Sequence, residues 1–199
     1  MLSRRQFLAC AAALPVSSRA LAGPLADPLP ERASRLVGAA EAQIGVTLDY
    51  DPAYAHIGYP GGDVPPRRGV CADVIVRAYR AGLGVDLQRL VHEDMGRAFA
   101  AYPPLWGLKR PDSNIDHRRV PNLAAFFKRR GAGLAAGTAY RPGDLVTQRV
   151  NGHLPHIVLV AGRRVEDSSR YQVIHNIGGG TEYADTLATY PVTGHFRYL

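Results

Sequence analysis

Cys71 stands where a turn-forming stretch gives way to a helix-forming one, in Gly69-Val70-Cys71-Ala72-Asp73-Val74. A thiol attacks as its thiolate, and the free N–H groups and macrodipole at a helix start favour that anion. Such a nucleophile also needs a base, most often a histidine, held in orientation by a third polar group. His156 opens the apolar run Ile157 to Val160, and His175 closes the run Tyr171 to Ile174. If these runs are neighbouring antiparallel strands, both imidazoles lie at one end of a sheet, with the Cys71 helix packed across that end. His156 would then take the thiol proton and His175, or Asn176 beside it, would orient the ring. The blander readings are equally concrete: a small buried hydrophobe for Cys71, a strand-end residue for His156, and a turn cap for His175-Asn176. His153 and His156 have a ligand-like spacing, but zinc asks for three or four ligands and no thiolate pair or Glu-His cluster is near. Asp63, Asp73, Asp94, Asp116 and Asp144 offer no carboxylate pair spaced for acid/base work. The chemistry expected of Cys71 needs no cofactor.

The elements that would position these groups follow from the apolar pattern. Glu31 to Val46 has helical spacing, and Asp49 to Gly69 is rich in proline and glycine and reads as a long irregular loop. A helix is predicted from Cys71 to about Gly82, and another from its cap Asp86 to about Ala101. Pro103 to Val120 reads as loop, and Pro121 starts a short amphipathic helix closed by Gly131. After Arg141 the pattern changes to short strands at Leu145–Thr147, Ile157–Val160, Tyr171–Ile174 and Thr193–Tyr198. Helices followed by strands predict an α+β domain with a mostly antiparallel sheet.

Upstream of this domain, Ser3-Arg4-Arg5-Gln6-Phe7-Leu8, the apolar run Ala9 to Val16 and a small-residue end at Ala20-Leu21-Ala22 read as a twin-arginine signal peptide over residues 1–22. The expectation is a periplasmic or secreted protein. Cleavage after Ala22 would remove Cys10 and leave Cys71 as the sole thiol of a 177-residue chain. A lone thiol in a compartment that pairs thiols is more readily chemical than structural. The apolar run is too short to span a bilayer, so no membrane anchor is expected. Residues 23–30 form a proline-rich leader, and residues 31–199 a single domain. Loss of Arg4, Arg5 and Arg19 lowers the formal charge from +7 to +4. That surplus suits an anionic cell-wall polymer, but its scattered arginines do not make a nucleic-acid stripe.

The order Tyr59-Pro60-Gly61-Gly62-Asp63, Gly69-Val70-Cys71-Ala72-Asp73, Arg141-Pro142-Gly143-Asp144-Leu145-Val146, His156-Ile157-Val158-Leu159-Val160 and Val173-Ile174-His175-Asn176 resembles the NlpC/p60 papain-like cell-wall peptidases. Over nearly the whole mature chain, Gly69-Val70-Cys71, Asp86-Leu87-Gln88, Val91-His92-Glu93-Asp94-Met95 and Ile115 to Leu123 resemble an uncharacterised bacterial group, domain-of-unknown-function family 1287. The peptidase resemblance implies a papain-like α+β fold with Cys71 as nucleophile, His156 as base, His175 as third member and Tyr59 as a holder of the oxyanion. On the substrate side stand Asp73, Asp116, His117, Arg118, Arg119 and Asn176. The loop Asp112 to Asn122 has no counterpart in the small peptidases; its arginines either clamp a substrate carboxylate or belong to a buried network that fixes the loop.

The expected function is therefore an exported cysteine hydrolase of amide bonds, an endopeptidase or amidase of peptidoglycan stem peptides. Where that family has Asp-Cys-Ser-Gly this chain has Val70-Cys71-Ala72-Asp73. The departure keeps open a non-catalytic envelope-binding module of the same fold, and a thiol acyltransferase or thioesterase remains the nearest chemical variant.

Overall fold

A computed structural model of the chain describes residues 29–199. The expected signal peptide with its cleavage point, Cys10 and most of the proline-rich leader lie outside the described residues, which begin at Leu29. Within them four α-helices come first, α1 (Leu29–Glu41), α2 (Cys71–Leu83), α3 (Leu87–Ala98) and α4 (Val120–Arg129). Between α1 and α2 lie two short strands, β1 (Asp49–Tyr50) and β2 (Arg68–Gly69), paired in parallel. The remaining strands are β3 (Leu145–Val150), β4 (Leu154–Arg164), β5 (Tyr171–Asn176), β6 (Thr181–Ala184) and β7 (Val192–Phe196). They form one antiparallel sheet in the order β6-β5-β4-β3-β7. The fold is α+β.

Helix α2 carries Val74, Ile75 and Val76 in succession, a β-branched run that by itself disfavours helix. Packing overrides it. Those side chains, with Ala72, Ala78 and Tyr79, are buried in the main core between the helices and one face of the sheet. Gly84 ends the helix in the left-handed conformation, and the Val85 N–H closes back onto the Tyr79 carbonyl. Pro30, expected in a non-helical leader, instead lies in the first turn of α1, where its missing N–H loses no hydrogen bond.

Strand alternation divides β4 between two faces. Ile157, Leu159 and Ala161 join the main core, whereas Val158 and Val160 meet Val146 and Val173 in a smaller cluster on the other face. At the far edge the buried Asp144 carboxylate accepts Arg197 Nε at 2.7 Å and faces His195 Nε2 at 2.8 Å, tying the end of the chain to the turn before β3. Among the described residues no helix is long and apolar enough to cross a membrane.

Helix α1 crosses α2 at Gly82, which lets the two backbones meet: a Cβ there would stand 2.6 Å from the Arg35 carbonyl oxygen. An alanine in a helix interior ordinarily gains about 1 kcal/mol over glycine. Here Gly82→Ala is expected to lose about 1–3 kcal/mol of stability through overpacking, read from urea unfolding midpoints. An unchanged or raised midpoint would contradict this crossing.

Candidate active site

Cys71 is the first residue of α2, and its start is built by a carboxylate at the third helical position. Asp73 Oδ2 accepts the Val70 N–H at 2.7 Å, one half of a capping box. The same carboxylate is gripped by Arg118, with Nε to Oδ1 and Nη2 to Oδ2 both at 2.9 Å. Arg118 also donates to the carbonyls of Ala53 and Asp51, so one buried fork fixes the helix start and the loop after β1 together. Asp73 and Arg118, assigned to the substrate side by resemblance, are thus fully engaged within the protein.

The two histidines converge as their strand positions require. The β4–β5 ladder ends at Leu159↔Ile174. Continuing that register sets His175 opposite Val158 and His156 one pleat further on, a diagonal pair on the same face. His156 Nε2 and His175 Nδ1 share a 2.8 Å hydrogen bond, with the rings 5.0 Å apart. Asn176 is directed elsewhere: its Nδ2 donates to the Gly69 carbonyl at 3.1 Å, anchoring β5 to the strand that precedes Cys71. Of the two candidates for the third position, His175 is the one bonded to His156.

The Cys71 side chain is 3% exposed and counts with the main core, yet it also lies on the wall of a groove of about 450 Å³. Its sulfur is met by backbone N–H groups, those of Ile157, Ala72 and Cys71 itself. Ile157 lies beyond the last β4–β5 rung, so the sulfur comes in at the open end of that ladder. No sulfur-to-imidazole hydrogen bond forms among the described residues, although Ile157 adjoins His156 in sequence. The His156–His175 bond uses Nε2 and leaves His156 Nδ1 unbonded; by strand alternation the two rings lie with Val158 and Val173 on the face away from the core that holds Cys71, and neither lines the groove.

The electrostatics depart from the expected helix-start effect. Burial pushes the Cys71 thiol up to about 11, and the surrounding amides offset only part of that cost. Burial likewise pushes His156 down to about 3, with the neighbouring His175 adding to the fall, and His175 down to about 4. Across neutral pH the resting state is therefore a neutral thiol and two neutral imidazoles, not a thiolate–imidazolium pair.

Tyr59 is not brought to Cys71. The turn that carries it docks on the start of α3, through Gly61 N–H to Asp86 and Gly62 N–H to Gln88, and its ring packs on His92 at 5.0 Å. The tyrosine at the groove is Tyr50, whose hydroxyl is raised to about 12 by burial and by the nearby Cys71 and Asp73. Sequence reasoning misses Tyr50 because β1 is two residues long inside a proline-rich stretch.

The loop residues separate by burial. Asp116 is buried and accepts the Asp112 N–H at 2.6 Å. His117 is buried and pushed down to about 4 by loss of solvent, with the Arg118 and Arg80 charges adding to the fall. Neither lines the groove. Arg119 does, stacked on Trp106 at 4.1 Å. His153 turns back to its own loop, with Nδ1 2.8 Å from the Asn151 carbonyl.

A thiol near 11 carries a thiolate fraction of only about 10⁻⁴ at pH 7. Iodoacetamide alkylation of Cys71, followed by peptide mapping, is expected to accelerate about tenfold per pH unit from pH 7 to 10. A plateau already reached below pH 7 would reveal a thiolate–imidazolium pair and contradict the neutral resting state.

The chain is similar to a protein of Escherichia coli (strain K12) described as uncharacterized protein YijF, with 51% identity over 163 residues that cover 80% of this chain and 78% of the relative. A family model described as Domain of unknown function (DUF1287) matches residues 37–198, from within α1 to the penultimate residue, and the chain belongs to that family.

Proposed function

We propose that this protein is a thiol hydrolase of amide bonds with a papain-like, NlpC/p60-type site, exported and acting on peptidoglycan stem peptides. The single observation that carries the reading is the 2.8 Å His156–His175 bond on the strand whose next residue, Ile157, offers its N–H to the sulfur of Cys71, a helix-start thiol on the wall of a groove. In this mechanism the Cys71 sulfur attacks the substrate carbonyl as His156 Nδ1 takes the thiol proton. His175 holds the ring through Nε2. Deprotonation accompanies attack, since a neutral imidazole is the form that can accept a proton. The Cys71 backbone N–H and the Tyr50 hydroxyl donate to the developing oxyanion, so Tyr50 takes the role first expected of Tyr59. His156 then protonates the leaving amine, and water activated by the same ring resolves the acyl-enzyme.

A second reading, a non-catalytic envelope-binding module, is favoured by the raised thiol and the absence of a sulfur-to-imidazole bond among the described residues. Purified protein incubated with sacculi separates the two. The hydrolase predicts soluble peptide fragments, and Cys71→Ala is expected to cut their release by about 10³-fold or more while leaving the fold intact. Undiminished release by that variant would overturn the thiol mechanism, and adsorption with no release by the wild type would establish the binding module.

A further inference from the structure

Two adjacent arginines reach the groove, and the structure gives them opposite circumstances. Arg118 is neutralised by the Asp73 fork and also held by two carbonyls. Arg119 makes no side-chain hydrogen bond or ion pair among the described residues, and its buried Nη1 has no partner. The nearest acids form no ion pair with it: Asp112 takes the Tyr54 hydroxyl and the Asn114 amide, and Asp116, whose Oδ1 is itself buried without a partner, takes the Asp112 N–H on Oδ2 and faces His92. Beneath the Arg119 guanidinium lies the indole of Trp106, which fixes the plane of the fork at the groove wall without neutralising it.

We propose that Arg119 is the carboxylate-binding subsite of this groove, so that the substrate carries a free carboxylate near the bond presented to Cys71. The inference rests on the reading of this groove as the substrate groove. The buried Nη1 does not face the groove, but Nε and Nη2, unbonded and not buried, form a planar N–H edge that matches a carboxylate bidentately, which a lysine would not reproduce. Loss of solvent already works against the charge on Arg119, drawing it below the ordinary arginine value, whereas Asp73 outweighs the same effect at Arg118. An arriving carboxylate would supply the missing counter-charge. A peptide with its carboxylates amidated would leave the cation unmatched.

The test uses the Cys71→Ala protein, which binds without turnover, and the fluorescence of Trp106, the sole tryptophan of the chain. Muropeptides prepared from sacculi are titrated before and after carbodiimide amidation of their carboxylates. The free acids are expected to bind about 10- to 100-fold more tightly than the amides. Arg119→Gln in the same background should abolish that discrimination, and Arg119→Lys should retain part of it. Equal affinity for acid and amide, no binding of either, or full discrimination by the Gln variant would overturn the subsite. Should the Gln variant fail to fold, the acid–amide comparison decides alone. Discrimination without wild-type turnover would support the subsite and sink the hydrolase; turnover without discrimination would do the reverse.

Discussion

The buried fork between Asp73 and Arg118 is the constraint on which the site depends. Asp73 is 2% exposed and Arg118 6% exposed, so neither charge is sustained by water. Removing one partner of such a pair leaves an uncompensated charge in a low dielectric. Here the carboxylate also caps α2, and the guanidinium also holds the Asp51 and Ala53 carbonyls. Helix start, the loop after β1 and the turn before α4 are thereby locked into one geometry. Cys71 and Tyr50 take their places from that lock, and Arg119 takes its place because its neighbour is held.

Burial then sets the protonation states. A helix N-terminus is worth about 0.3–1 kcal/mol to an exposed anion, whereas removal from water moves buried groups by up to several pKa units. For Cys71 desolvation wins, and for His156 and His175 it acts in the same sense toward neutrality. The His156–His175 bond holds imidazole orientation without requiring charge. A site of this kind relies on proton transfer during attack, and its groove must bring the substrate carbonyl to a thiol that is not already ionised.

Much of the fold is legible from residue spacing, and the reasons differ from element to element. Helix α4 announces itself through Pro121 and the Leu123, Phe126, Phe127 stripe, and β3, β4, β5 and β7 through β-branched and aromatic runs. Strand β6 is not legible, because Thr181 to Ala184 is four residues long behind Gly178-Gly179-Gly180 and gains its strand geometry only from pairing with β5. The meeting of His156 with His175 can be anticipated, since two strand ends in one antiparallel sheet can share a face. The choice of Tyr50 over Tyr59 cannot, because it depends on the docking of a loop onto α3. Arg118 and Arg119 are identical in type and adjacent in sequence; only the fold decides that one meets a carboxylate and the other an indole.

Whether the β4–β5 imidazole pair serves the thiol at the start of α2 is measured most directly by the rate at which Cys71 becomes acylated by a p-nitrophenyl ester, followed by intact-protein mass with the modified peptide identified. If His156 is the base, His156→Gln should slow acylation at pH 7 by about 10²-fold or more, with the unfolding midpoint near that of the wild type. Equal acylation rates in the two folded proteins would contradict a base at His156 and, with it, the thiol mechanism.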